Sequence, residues 1–359
     1  MHGPRSDSDC RTSVLILAET PGQEEHRGGA FHPERPDRVD AVRAGIADLH
    51  LGSDVVPVPV VPAGESILSA VHSTRYLTEL RLLCEGGGGE LDPDTYAGPG
   101  SWTAACGAAG AGVAAIGALR ERGDGIAFVV ARPPGHHAEA ESGMGFCLLN
   151  NVAIAAATIK AAGEKVLIVD WDVHHGNGTQ AIFWDDPDVL YVSTHEWPLY
   201  PGTGRAREVG GVHALGSTVN IPLPAGATGD VLRRAFEEVA APIVAAFAPD
   251  WVLVSCGFDA HRDDPLADLA LSSADFGLLA LDVRQFVGRA GRMALFLEGG
   301  YDLGALRRSV AATVGALVGE GNGPEDPTFG GPGADHVLLA GNLRERAIAR
   351  AAEEAGDVG

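Results

Sequence analysis

Short, almost wholly apolar runs alternate with longer Ala-rich stretches along most of this chain. Val14–Leu17, Ile126–Val130, Val166–Val169, Val189–Ser193, Trp251–Ser255 and Ala294–Leu297 are rich in Val, Ile and Leu. A run that is apolar at every position, rather than at every second one, predicts a strand buried on both faces. Between these runs, Ser101–Leu119, Asn151–Ala162, Val231–Phe247 and Ala274–Val287 have the length and composition of helices. The alternation predicts an α/β fold: one three-layer α/β/α domain around a predominantly parallel sheet. The glycine run 86–89 and the segment Gly319–Gly333 read as loops, and Asn342–Glu354 reads as a polar terminal helix. With no internal repeat and no shift in composition, we expect a flexible N-terminus over residues 1–12, one domain over 13–320, and an extension over 321–359 that packs on or trails it.

Polar clusters follow four of the runs. After Ile126–Val130 comes Arg132-Pro133-Pro134-Gly135-His136-His137; after Val166–Val169 come Asp170, Asp172, His174 and His175. Gly257-Phe258-Asp259 follows Trp251–Ser255, and Glu298-Gly299-Gly300-Tyr301-Asp302 follows Ala294–Leu297. Open parallel sheets bind ligands at the carboxyl ends of their strands, so all four clusters are expected on one rim. Asp172 and His174, two residues apart, face the same way on an extended chain and can grip one divalent cation. Asp259 is the natural third ligand, and an O, N, O set without cysteine suits a catalytic zinc or another first-row ion. The adjacent His136 and His137 supply the proton acceptor and donor that amide hydrolysis needs beside such a cation. Asp170 would orient an imidazole, and Tyr301, after two glycines, would donate to an oxygen gaining negative charge. Taken singly, each feature has a plainer reading: a solvated turn, a loop histidine pair, a strand-end carboxylate, a packing tyrosine. Four of them on one rim favour chemistry.

Composition narrows the picture further. Apolar residues form 45% of the 359, which excludes a disordered chain. Five scattered cysteines without paired spacing point to free thiols in a reducing compartment, and the polar first ten residues carry no secretory pattern, so a cytoplasmic location is expected. No run looks long and uninterrupted enough to span a bilayer. A net charge of −22 counts against nucleic-acid backbones and anionic membranes as partners; it is mainly a solvated acidic surface, and it suits a cationic substrate.

Taken together, the segments resemble the zinc-dependent histone deacetylase family of the arginase–deacetylase superfamily, closest to its class II branch and bacterial amidohydrolase relatives. The likeness runs from about His32 to Leu303. It is carried by His32-Pro33-Glu34-Arg35-Pro36, Asp94-Thr95, Pro99-Gly100-Ser101-Trp102, Arg132 to His137, Gly145-Phe146-Cys147, Asn150-Asn151, Asp170 to Gly178, Tyr200 to Gly204, Gly257-Phe258-Asp259 and Gly299-Gly300-Tyr301. The resemblance implies one zinc on Asp172, His174 and Asp259, with His137 as general base and acid and His136 in electrostatic support. It implies that Tyr301 polarises the acyl carbonyl, that Phe146 and Tyr200 wall a narrow channel floored by Gly145, and that Asp94 holds substrate amides at the rim. It further implies a structural potassium ion near Asp170, Asp172, His174, Ser193 and Thr194, and a second near Phe183 and Val189. Asn177 stands where class I members have an aspartate, and Gly176 where arginase-like enzymes have a further metal-binding aspartate; one metal is therefore expected.

The implied activity is removal of acetyl or other acyl groups from lysine in proteins or peptides. An acetylpolyamine amidohydrolase is the alternative. Polyamine-selective relatives place an acid seven residues after the third ligand, where this chain has Leu266, but Glu85, Glu90 and Asp92 lie in another loop that could greet a second ammonium. A binuclear manganese ureohydrolase is disfavoured by Gly176 and the histidine pair, and a non-catalytic acyl-binding module by Tyr301 and the intact ligand set. The implied partner is a small acylated amine or an acetyl-lysine peptide, and a homo-oligomer is left open.

Overall fold

Apart from Val14 and Leu17, which are partly buried, the apolar runs are buried because they lie inside an eight-stranded sheet with a hydrophobic layer on each face. The computed structural model describes residues 14–29, 31–321 and 323–356; the segment 1–12 expected to be flexible, with Cys10, lies outside the described residues. The strands are β1 (Leu15–Glu19), β2 (Val55–Pro57), β3 (Gly89–Asp92), β4 (Thr95–Ala97), β5 (Ile126–Val130), β6 (Val166–Asp170), β7 (Val189–Glu196), β8 (Thr218–Leu223), β9 (Trp251–Cys256) and β10 (Met293–Leu297). β3 and β4 form a separate antiparallel hairpin; the other eight are parallel in the order β2-β1-β5-β10-β9-β6-β7-β8. This is the expected three-layer α/β/α arrangement. The four strands whose ends carry polar clusters, β5, β10, β9 and β6, are consecutive neighbours at its centre.

The period-two geometry of a strand divides the core. Phe128, Leu167, Val169, Leu295 and Leu297 face one layer, and Val129, Val166, Ile168, Ala294 and Phe296 face the other. On the second face lies the helix Ser101–Arg122, packed on β1, β5 and the helix Asn151–Lys160. It is long and apolar enough to cross a bilayer, which the sequence reading did not anticipate, yet two-thirds of its most apolar stretch is buried inside the protein. Small residues permit that burial: a Cβ on Gly110 would stand 2.1 Å from the Val61 carbonyl oxygen.

Two departures from expectation have local causes. β8 was not predicted, because Asn220 and Pro222 interrupt its apolar residues; proline is tolerated near a sheet edge, and β8 is the edge strand. The helix Ala334–Gly356 packs over it, beginning well before the expected Asn342. The expected single helix Val231–Phe247 is instead a helix Gly229–Ala235, a π-helical turn Phe236–Ala240 and a helix Ala241–Phe247. Cys84, Cys106, Cys147 and Cys256 are buried free thiols.

Candidate active site

Beyond β6 the chain turns so that Asp172 and His174 face Asp259, which follows β9. His174 Nδ1 lies 3.2 Å from Asp172 Oδ1 and 3.2 Å from Asp259 Oδ2, and the ligand atoms of all three fall within 4.8 Å of one another. Backbone N–H groups hold the carboxylates: Val173 donates to Asp259 Oδ1 at 3.0 Å, and Gly299 donates to Asp172 Oδ2 at 2.8 Å. The buried Asp259 Oδ2 has no hydrogen-bond donor. Cβ atoms on Gly257 and Gly299 would fall 2.0 Å from Asp172 Oδ2 and 1.9 Å from Asp259 Oδ2, so both positions require glycine. Two carboxylates and an imidazole converging this closely, with Asp259 Oδ2 left without a hydrogen bond, fit a divalent cation. Burial alone would lower the His174 pKa, but Asp172 and Asp259 raise it to about 10; the same contact with His174, and with His136, holds Asp172 below the usual carboxylate range.

His136 and His137 follow β5, their rings 4.0 Å apart. His136 Nδ1 meets Asp170 Oδ2 at 3.1 Å, and Tyr191 also donates to that oxygen at 3.0 Å. His137 Nδ1 meets Asn177 Oδ1 at 2.8 Å. The Asn177 amide donates to Glu139 Oε1 at 2.9 Å, which turns its oxygen toward His137, so Nδ1 carries the proton and Nε2 keeps a lone pair. Burial first, then the neighbouring His136 and His174, push the His137 pKa well below its ordinary value. Burial opposes protonation of His136 as well, but Asp172 and Asp170 outweigh it and raise that pKa to about 10. The neighbouring histidines are thus set apart, one charged and one neutral.

Gly176 explains part of this arrangement. A Cβ there would lie 2.2 Å from Asp170 Oδ2 and 3.1 Å from His136 Nδ1. A longer side chain at 176, such as a metal-binding aspartate, would displace the Asp170–His136 pair.

Above this floor a cavity of about 510 Å³ opens to solvent, lined by His137, Gly145, Phe146, His174, Tyr200 and Tyr301, with Asp94, Glu90 and Leu266 at its mouth. Gly145 and Phe146 both have left-handed backbones, at φ 55° and 69°. Asp92 Oδ2 accepts from Gly145 N at 3.3 Å, and Thr95 Oγ1 accepts from Phe146 N at 2.9 Å. The Phe146 ring meets Tyr301 edge-on at 5.8 Å, and Tyr200 meets His137 at 5.2 Å. Burial keeps the Tyr301 phenol protonated, and the Arg38 guanidinium lies 5.0 Å from its ring. A larger cleft, about 890 Å³, lies by the N-terminal ends of β5 and β10 and has neither histidine nor tyrosine in its lining.

Of the residues expected at a potassium site, Asp170 pairs with Ser193 across β6 and β7, and the buried Thr194 Oγ1 has no hydrogen-bond partner. Phe183 and Val189 are not among the residues lining the cavity. Sequence reasoning assigned no role to Glu298, whose Oε2 accepts from Gly135 N and His136 N at 2.6 and 3.1 Å, although its place at a strand end was a usable signal. It also missed Arg38, Tyr191 and Glu139, which act across long sequence separations. His261, Asp263 and Glu325 form another cluster with metal-ligand spacing, but Arg262 and Arg308 already neutralise its carboxylates.

Residues 32–317 match the model of the histone deacetylase domain. The chain is 39% identical to histone deacetylase 10, chloroplastic, of Oryza sativa subsp. japonica, over 88% of this chain and 75% of that protein. A probable deacetylase of Methanothermobacter thermautotrophicus is 38% identical, over 88% of this chain and 95% of its own length. The crystal structure of the HDA15 HD domain superposes with a TM-score of 0.85 at 35% identity, covering 96% of this chain and 99% of that one. The chain therefore belongs to the histone deacetylase family and is an amide hydrolase, a deacetylase, with zinc dependence the norm of its family.

Proposed function

We propose that the protein removes acetyl or related acyl groups from the ε-amine of lysine in proteins or peptides, using one zinc ion held by Asp172, His174 and Asp259. A zinc ion there supplies Lewis-acid polarisation and a water nucleophile at neutral pH. The neutral His137 takes a proton from the attacking water and returns it to the departing amine nitrogen as the C–N bond breaks, releasing a carboxylate and a free amine. The charged His136, anchored on Asp170, stabilises negative charge beside it. Tyr301 donates its phenolic hydrogen to the acyl oxygen as that oxygen becomes anionic. Phe146 and Tyr200 grip the alkyl stem, and Asp94 meets substrate backbone amides at the mouth. We assign Asp170, Asp172, His174, Ser193 and Thr194 to a structural potassium ion.

The observation that carries the lysine reading is Leu266, an apolar residue lining the cavity seven positions after Asp259, where recognition of a second ammonium would call for an acid. Glu90 at the same mouth is the feature that favours an acetylpolyamine. Turnover of acetyl-lysine peptides, longer acyl-lysines, acetylspermidine and acetylputrescine, measured side by side on zinc-loaded protein, decides between them. Higher kcat/KM on the peptides is expected; a higher value on acetylpolyamines would reject the lysine assignment.

A further inference from the structure

The segment that carries Tyr301 is held at nearly every backbone group. Arg38 grips the Glu298 carbonyl and donates to the Gly300 carbonyl at 2.7 Å. Gly299 donates to Asp172, and its carbonyl accepts from Phe258 N at 3.1 Å. The N–H of Tyr301 itself goes to one acceptor, Asp264 Oδ2, at 2.7 Å, and the next N–H, from Asp302, reaches the same oxygen at 3.3 Å. The other oxygen, Oδ1, accepts from Leu266 N at 3.1 Å.

We infer that Asp264 is a positioning residue for the reaction: its carboxylate fixes the backbone of Tyr301, and through it the hydroxyl's place over the acyl oxygen, while tying that tyrosine to Leu266 on the mouth. The inference rests on the proposed role of Tyr301. Asp264 is 7% exposed and is itself immobilised, since its own N–H donates to the His261 carbonyl at 2.9 Å. The flanks of its turn are braced by Arg308 on Asp263 at 2.8 Å and by Arg262 on Glu325 at 2.8 Å. Three N–H donors converge on two oxygens, which calls for a group that only accepts. An asparagine would turn its NH₂ toward one set of these donors and release either Tyr301 or Leu266. A small displacement of a positioned donor has a large kinetic effect, because stabilisation of a developing oxyanion depends on where the donor stands in the transition state.

The test is a double-mutant cycle on zinc-loaded, full-length protein with an acetyl-lysine peptide, pairing Asp264→Asn, and Asp264→Ser as a second variant, with Tyr301→Phe. Either Asp264 variant is expected to lower kcat about 10- to 100-fold, less than the roughly 10²–10³ for losing an oxyanion donor outright. KM and zinc content should stay within about two-fold of wild type, and a substitution at 264 should cost the Tyr301→Phe enzyme less than two-fold more. Equal losses in both backgrounds, an unchanged kcat, or loss of zinc would overturn the inference. Inactivity of the wild-type protein on every acyl substrate would instead overturn the function on which it rests.

Discussion

Gly145 lines the cavity beside His137, and replacing it with alanine tests its expected place at the channel floor most directly. A Cβ at this position would lie 2.5 Å from His137 Cδ2 and 3.0 Å from Tyr200 Cε1. Ordinary contact begins at 3.4 Å, so the His137 ring must retreat by roughly 0.9 Å unless the floor itself moves. It cannot retreat freely, because its Nδ1 is held at 2.8 Å by Asn177, which is in turn held by Glu139. The left-handed backbone adds about 1–2 kcal/mol of strain for any residue with a Cβ. A base misplaced by about 1 Å costs on the order of 100-fold in rate. We therefore expect Gly145→Ala to lose about 100-fold in kcat while keeping its zinc, because the atoms nearest the new methyl belong to His137 and Tyr200 and not to Asp172, His174 or Asp259. The assay pairs steady-state kinetics on an acetyl-lysine peptide with metal content and thermal unfolding. A soluble, zinc-loaded variant within about five-fold of wild type would falsify the idea that the floor sets the position of His137.

Other predictions address the metal, the rim and acid stability. Removing metal with a chelator should abolish turnover, and zinc at about 100 times its Kd should add roughly 2.7 kcal/mol to unfolding stability; identical melting curves with and without zinc would refute the ligand assignment. Leu266→Glu should raise kcat/KM for acetylspermidine relative to an acetyl-lysine peptide, and an unchanged ratio would remove Leu266 from substrate selection. His72 is held neutral in the fold: burial lowers its pKa to about 4, its Nε2 accepts from Asn150 N at 2.9 Å, and its Nδ1 donates to the Glu139 carbonyl. The unfolded chain therefore binds the extra proton first, and stability falls as pH drops from 6.5 toward 4. The loss attributable to His72 is on the order of 3 kcal/mol, and His72→Gln should flatten that part of the pH–stability curve measured by urea unfolding.

β1, β5, β6, β7, β9 and β10 were legible because burial in the sheet leaves a continuous apolar signature, as in Val166–Val169 and Trp251–Ser255, whereas β2, β3 and β4, of three or four residues each, are too short to leave one. The main cluster residues were legible for a related reason: they sit directly after such runs, where a parallel sheet delivers them to one rim. β8 was illegible because an edge strand tolerates Asn220 and Pro222. The break in Val231–Phe247 left no trace because a π-helical turn has the same composition as its flanks. Asp264 and Arg38 were hidden for another reason: their work is done on backbone groups 37 and 262 residues away, and no local pattern encodes such an acceptor or donor.

The β3–β4 hairpin stands outside the main sheet, yet through Asp92 and Thr95 it supplies the acceptors that hold the N–H groups of Gly145 and Phe146. Part of the cavity wall is thus held by chain outside the sheet that delivers the candidate catalytic groups. The candidate catalytic groups follow four central strands, and Gly257 and Gly299 just beyond two of them leave no room for added atoms. That wall hangs from a short ribbon in which Thr95 and Ala97 are buried while Glu90 and Asp94 are exposed. We expect variation at the exposed Glu90 and Asp94 to reshape which acyl amine enters, provided that Asp92 and Thr95, which hold the loop beside His137, stay in place. The ribbon is the place to begin in redirecting this scaffold toward a new substrate.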